Sequence, residues 1–172
     1  QAIQIDPNYV EAYNNKGLSL AALGGHEEAW NFYDQAIQID PNYVEAYNNK
    51  GVSLAKLGRH EEALNFYDQA IQLNPKCPVT YNNKGFSLAK LGRHEEALNF
   101  YDQAIQIDPK YAETYNNKGL SLVALGRHAE SEECYIQFMR HNSSHNMDHN
   151  MHNTEHNIDC IGENVTVMLT EL

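Results

Sequence analysis

Positive charge is scarce in this chain. It carries 12 lysines and arginines against 23 aspartates and glutamates, a formal net charge of −11. That balance argues against unspecific binding to nucleic acid or to an anionic membrane surface, and it permits a basic partner. Cysteine is scarce too. Cys77, Cys134 and Cys160 are too few and too scattered for a disulfide framework, and an odd number fits reduced thiols in a cytosol. All hydrophobic runs are short, so none is expected to span a bilayer. Nothing reads as a secretory signal, and a cytoplasmic protein is expected. There is no Gly-rich phosphate loop, no nucleophile with a matching base and no acid pair in a defined pocket. Neither catalysis nor a cofactor is expected.

What is present is repetition. Tyr-Asn-Asn-Lys-Gly occurs at Tyr13, Tyr47, Tyr81 and Tyr115, each start 34 residues after the last. Pro7, Pro41, Pro75 and Pro109 keep the same step, as do Gly24, Gly58, Gly92 and Gly126. A fixed period of this length describes a stack of small helical units with a continuous core between neighbours.

One unit explains the rest. Asn8 and Glu11 have the spacing of a capping box. Tyr13, Gly17, Leu20 and Leu23 lie on one side of a first helix. Gly24 supplies the left-handed residue that ends it. A second helix starts near His26, with Glu27 and Glu28 in the first turn, where the helix dipole favours them. Ala29, Phe32, Tyr33, Ala36 and Ile37 form its apolar stripe. Gly17 and Ala29 let the two helices approach closely, and Ala36 leaves room for the next unit.

Tyr13, Gly17, Leu20, Ala29, Tyr33, Ala36 and Pro41 fall at the spacing of the tetratricopeptide repeat, and the next two units match from Tyr47 and from Tyr81. The chain therefore resembles the tetratricopeptide repeat family over roughly its first 140 residues. The resemblance implies an all-α fold, a right-handed α-solenoid of tandem 34-residue helix-turn-helix repeats. Repeats are expected at 10–43, 44–77, 78–111 and 112–142. Residues 1–9 read as the end of a truncated preceding repeat, so the chain looks like a fragment of a longer array. Residues 143–172 form a His- and Asn-rich tail expected to be disordered. The fourth repeat decays: Ser131 and Phe138 stand where alanine is expected, and Cys134 where phenylalanine is.

Departures from the family pattern carry their own expectations. Lysine precedes each repeated glycine (Lys16, Lys50, Lys84, Lys118), and its stem can cover the core while its ammonium stays wet. Asp34, Asp68 and Asp102 each precede a unit carrying such a lysine. Pairing across unit boundaries is expected, from Asp34 to Lys50, Asp68 to Lys84 and Asp102 to Lys118.

The resemblance also suggests a site. Asn15 shares a helical face with Glu11, Leu18 and Ala22, the face that lines the concave groove in this family. Asn49, Asn83 and Asn117 match it. A carboxamide offers both a donor and an acceptor, so these four can pair with the backbone of an extended chain. They look like the asparagine ladder in the repeats of O-linked N-acetylglucosamine transferase. Asn14, Asn48, Asn82 and Asn116 are neighbours that can help. Phe86 is a candidate apolar anchor, in a strip with Leu18, Val52, Val79 and Leu120. The carboxylate clamp of chaperone-binding repeats is not expected, because the groove entrance carries Glu11, Glu45, Val79 and Glu113. The expected function is a non-catalytic scaffold holding a protein or peptide ligand. A targeting arm of a larger enzyme is the alternative, as is transition-metal binding by the tail. His141, His145, His149, His152 and His156 have helical spacing there, although low complexity explains them and no metal site is assigned. His26, His60, His94 and His128 recur once per unit, about 10 Å apart along a stack, too far to share an ion. An uncovered first half-unit with Ile3 and Ile5 invites self-association.

Overall fold

The computed structural model describes residues 9–147, with side chains to 143. Ile3, Ile5, Asn8, Cys160 and the histidines from His145 onward lie outside these side chains. The described residues form eight helices: α1 Val10–Ala22, α2 His26–Ile39, α3 Val44–Lys56, α4 His60–Leu73, α5 Pro78–Lys90, α6 His94–Ile107, α7 Ala112–Ala124 and α8 His128–Met147. The fold is an all-α solenoid built of helix pairs. Helices α1–α4 belong to one compact unit that ends at Pro75, and α5–α8 to a second that begins at Lys76.

Each pair ends its first helix in the same way. Gly24, Gly58, Gly92 and Gly126 have φ of 83°, 75°, 76° and 73°. The N–H of Gly24 donates to the carbonyl of Ala21, and the N–H of Gly25 to that of Leu20. Two such bonds around a left-handed residue satisfy carbonyls that the helix leaves open. The helix starts differ from the expected capping box. The residue before α1 is Tyr9 and that before α3 is Tyr43, neither with a capping side-chain bond. Asn42, which matches Asn8, instead sits in a turn whose backbone N–H donates to Asp40 Oδ1 at 2.9 Å. An aspartate in this place satisfies its own turn two residues on. Tyr47 then reaches back, its hydroxyl donating to the carbonyl of Pro41 at 3.0 Å, and Tyr115 does the same to Pro109.

Inside each pair a tyrosine ring lies on a glycine. A Cβ added at Gly17 would sit 2.5 Å from the Tyr33 ring, one at Gly51 2.6 Å from Tyr67, and one at Gly85 2.6 Å from Tyr101. The three tyrosines are almost wholly buried. Burial pushes the Tyr33 phenol up to about 12. In the first unit Leu54, Ala63 and Tyr67 form a core flanked by Trp30, Val52 and Phe66.

The fourth pair keeps the geometry more loosely. The nearest Tyr135 atom is 3.1 Å from a Cβ at Gly119. Ser131, in the place of alanine, is buried and donates its hydroxyl to the Gly119 carbonyl at 3.0 Å. Helix α8 runs to Met147, five residues past the repeat boundary expected at 142. Asparagine and serine lower helix propensity without forbidding it, and no proline or glycine interrupts residues 128–147.

Each unit packs its second helix against the next first helix, α2 on α3 and α6 on α7. The first helices also touch each other, α1 with α3 and α5 with α7, whereas α2 and α4 do not, nor α6 and α8. The face of the first helices is therefore the inner face of each unit.

Gly51→Ala is expected to cost roughly 1–3 kcal/mol, because overpacking must displace the Tyr67 ring. Gly119→Ala is expected to cost clearly less, since Tyr135 starts farther away. Urea unfolding followed by circular dichroism compares the two, and equal losses contradict the close-contact account.

Candidate functional site

The adjacent asparagines of each repeat turn in different directions. Successive residues lie about 100° apart on a helix, so one carboxamide of each pair meets the neighbouring first helix. In the first unit Asn49 Nδ2 donates to Asn14 Oδ1 at 2.9 Å, and in the second Asn117 Nδ2 donates to Asn82 Oδ1 at 3.1 Å. Both bonds are buried. Asn14, Asn48 and Asn82 are therefore covered residues rather than helpers open to a ligand. Asn49 and Asn117 retain only 3% and 8% exposure. Asn15 is exposed, and Asn83 and Asn116 are half-buried.

Charge pairs follow the boundaries as well. Lys50 Nζ lies 2.5 Å from Asp34 Oδ1, and Lys118 Nζ 2.5 Å from Asp102 Oδ1. Lys50 is more enclosed than a snorkelling lysine, with 13% of its side chain exposed. Its ammonium also lies 4.7 Å above the Phe66 ring. In the second unit Lys84 lies 4.3 Å above Phe100. Exposed pairs of this kind contribute only ~0.2–1 kcal/mol each. At the outer corners Arg59, Arg93 and Arg127 each pair with the glutamate three residues on.

The entrance of the first unit is acidic. Glu45 is half-buried, and burial raises its carboxyl above the ordinary range, with the Glu11 and Asp40 charges adding to the rise. Beside it the Tyr43 phenol is pushed up to about 12 by burial and by the charges of Glu45 and Glu11. In the second unit Tyr111 donates to Glu113 Oε2 at 3.0 Å.

The expected apolar strip is only partly open. Val79 and Leu18 are buried, and Val52 is half-buried. Phe86 is 38% exposed and Leu120 56%. Val123, 44% exposed, is an inner-face residue that reading by period passes over. Its signal is in the sequence all the same, because Ala21, Ala55 and Ala89 hold that place in the other repeats. Among the repeat histidines, His26 and His94 have a buried Nδ1 with no hydrogen-bond partner. Burial and the Lys56 charge lower the His26 pKa. His141 stacks on Tyr115, ring centroids 5.5 Å apart. Among the described residues no group of three or more His, Cys, Asp or Glu is placed to hold a metal. No described helix is long and apolar enough to cross a membrane.

A sequence profile of the tetratricopeptide repeat matches residues 44–77 and another residues 1–31. A further TPR repeat profile matches residues 17–58 and 87–126. The chain belongs to the tetratricopeptide repeat family. No curated protein matches it. Among solved structures, a crystal structure of MamA superposes with a TM-score of 0.76 at 22% identity, covering 85% of each chain. MamA 41-end from Desulfovibrio magneticus RS-1 superposes with a TM-score of 0.74 at 22% identity, covering 83% of this chain and 80% of that one. These likenesses show the fold. Family membership supports a protein–protein interaction scaffold.

Two outcomes are expected from these contacts. In a double-mutant cycle of Asn14→Ala and Asn49→Ala, each single change costs about 1–3 kcal/mol by stranding a buried carboxamide, and the double change costs less than the sum. Strict additivity in urea unfolding contradicts the buried bond. Glu45→Gln is expected to raise the melting temperature at pH 7. The folded carboxyl holds its proton more tightly than the unfolded one, so Glu45 ionisation removes stability as pH rises through the carboxylate range. The gain vanishes at acid pH, where both forms are neutral. A gain that persists under acid conditions contradicts this sign.

Proposed function

We propose that this chain is a non-catalytic scaffold whose first-helix faces hold an extended peptide. Asparagines of the Tyr-Asn-Asn-Lys-Gly segments hold the peptide backbone. Asn15 in the first unit and Asn116 in the second are carboxamides that reach solvent. They supply the direct donor and acceptor pairs that a peptide group requires. Asn49 and Asn117 set the spacing of the row through their bonds to Asn14 and Asn82. The observation that carries this reading is the recurrence of the same asparagine-to-asparagine bond within each unit. It supports the reading by holding the asparagine segment of one first helix against that of the next in each unit.

An unbiased decapeptide library tests the reading. The intact chain is expected to select binders, and a variant carrying Asn15→Ala and Asn116→Ala is expected to lose them with unchanged helicity. Changing Asn49 and Asn117 to alanine as well is expected to weaken binding further and to lower stability. Equal binding by the intact chain and this double variant removes the asparagines from the site.

A further inference from the structure

We infer that the inner face of the second unit selects a particular side-chain pair in its peptide: a large apolar residue adjoining a carboxylate. The inference rests on the peptide-holding reading above and gives it a specificity.

The repeats copy one another closely at core positions. Tyr33, Tyr67 and Tyr101 are the same residue in the same burial, as are Ala36, Ala70 and Ala104. Two inner positions change from repeat to repeat. One inner position reads Leu18, Val52, Phe86, Leu120, and another reads Ala21, Ala55, Ala89, Val123. In the first unit these places are covered or small: Leu18 and Ala21 are buried, Val52 and Ala55 half-buried. In the second unit they carry Phe86, Leu120 and Val123, all exposed. Phe86 and Leu120 hold equivalent places on α5 and α7, which touch. Leu120 and Val123 are three residues apart and so adjoin on one helix face. Three large apolar groups exposed on two touching helices suit an apolar partner.

Charge gives the patch a direction. Lys90 follows Phe86 by one helical turn, and its ammonium lies 5.1 Å above the Phe86 ring. No carboxylate among the described residues pairs with Lys90. Three other cations of this unit are paired: Lys118 with Asp102, Arg93 with Glu96 and Arg127 with Glu130. At the far end of α7 stands Glu113, which accepts from Tyr111. Glu113 and Ala124 are separated by about 16 Å of helix at 1.5 Å per residue. The face thus runs from a carboxylate, across exposed apolar groups, to an ammonium. An apolar ligand side chain seated on Leu120, Val123 and Phe86 places an adjoining ligand carboxylate toward Lys90 and away from Glu113. In a chain of net charge −11, that lysine offers a ligand carboxylate a counter-charge beside the exposed apolar groups. Burying the ligand side chain supplies affinity, and the charge pair supplies discrimination.

The test uses the full chain and the same decapeptide library. Selected peptides are expected to share a large apolar residue next to Asp or Glu. Fluorescence anisotropy then compares synthetic Ala/Ser/Gln decapeptides centred on Leu-Glu, Leu-Lys or Ser-Glu. The intact chain is expected to bind Leu-Glu about fivefold more tightly than Leu-Lys, as a partly exposed charge pair allows. It is expected to prefer Leu-Glu over Ser-Glu by about tenfold, from the apolar contact. Lys90→Glu reverses the first preference. Leu120→Ser with Val123→Ser abolishes the second. These side chains are exposed, so circular dichroism is expected to stay unchanged. Binding of all three peptides with equal affinity, lost in the Asn15→Ala, Asn116→Ala variant, overturns the inference and leaves the peptide-holding reading standing. Binding to no member of the library overturns both.

Discussion

The contact between a tyrosine ring and a bare glycine backbone governs this molecule. Tyr33 on Gly17, Tyr67 on Gly51 and Tyr101 on Gly85 leave no room for a Cβ. The two helices of a pair can then lie close enough for a full ring to fill the space between them. Alanines at 29, 63 and 97 are wholly buried at the same interface. Ala36, Ala70 and Ala104, equally buried, keep the outer side of the second helix thin. Where the contact relaxes, at Gly119 and Tyr135, the sequence drifts with it. Ser131 and Cys134 occupy alanine and phenylalanine places, and the serine compensates with a hydrogen bond to the Gly119 carbonyl.

Apolar packing repeats every 34 residues, and by itself it says little about how one pair aligns with the next. Polar contacts supply that alignment within each unit. Asn49 to Asn14 and Asn117 to Asn82 are buried bonds between carboxamides, and a buried polar group tolerates little displacement before its desolvation is uncompensated. Lys50 to Asp34 and Lys118 to Asp102 act at the edge of the same boundaries, with smaller energies because their carboxylates are in water. The Tyr-Asn-Asn-Lys-Gly segment thus holds tyrosine, asparagine, lysine and glycine for four separate packing tasks. An inner face built this way keeps its asparagines, lysines and glycines constant and varies at other places. That division leaves Phe86, Leu120 and Val123 room to differ from their counterparts without disturbing the stack.

Much of this was legible in the chain before any fold was known. The period predicts helix pairs because 34 residues accommodate two helices and their turns. The glycines at 24, 58, 92 and 126 mark helix ends because only glycine readily takes the left-handed backbone found there. The Asp-to-Lys pairs at two boundaries were legible because the aspartate disappears from the last repeat. Less legible were the helix starts. Asn8 and Glu11 have capping-box spacing, yet the helices begin after Tyr9 and Tyr43, with the aspartate turn at Asp40 taking the local bonds.

Periodicity assigns a residue to a side of a helix, and this chain's repeats, helix ends and core tyrosines follow from it. The depth to which a neighbour covers that side depends on the separation and rotation of two helices, which no single repeat encodes. Tertiary packing therefore decided that Asn14, Asn48 and Asn82 are enclosed and that Asn49 and Asn117 spend their amides on the preceding repeat. It decided that Val79 and Leu18 are covered while Leu120 and Val123 face outward. The sequence determined which chemistry sits on the inner face, and the distance between adjacent helices decided which of it reaches solvent.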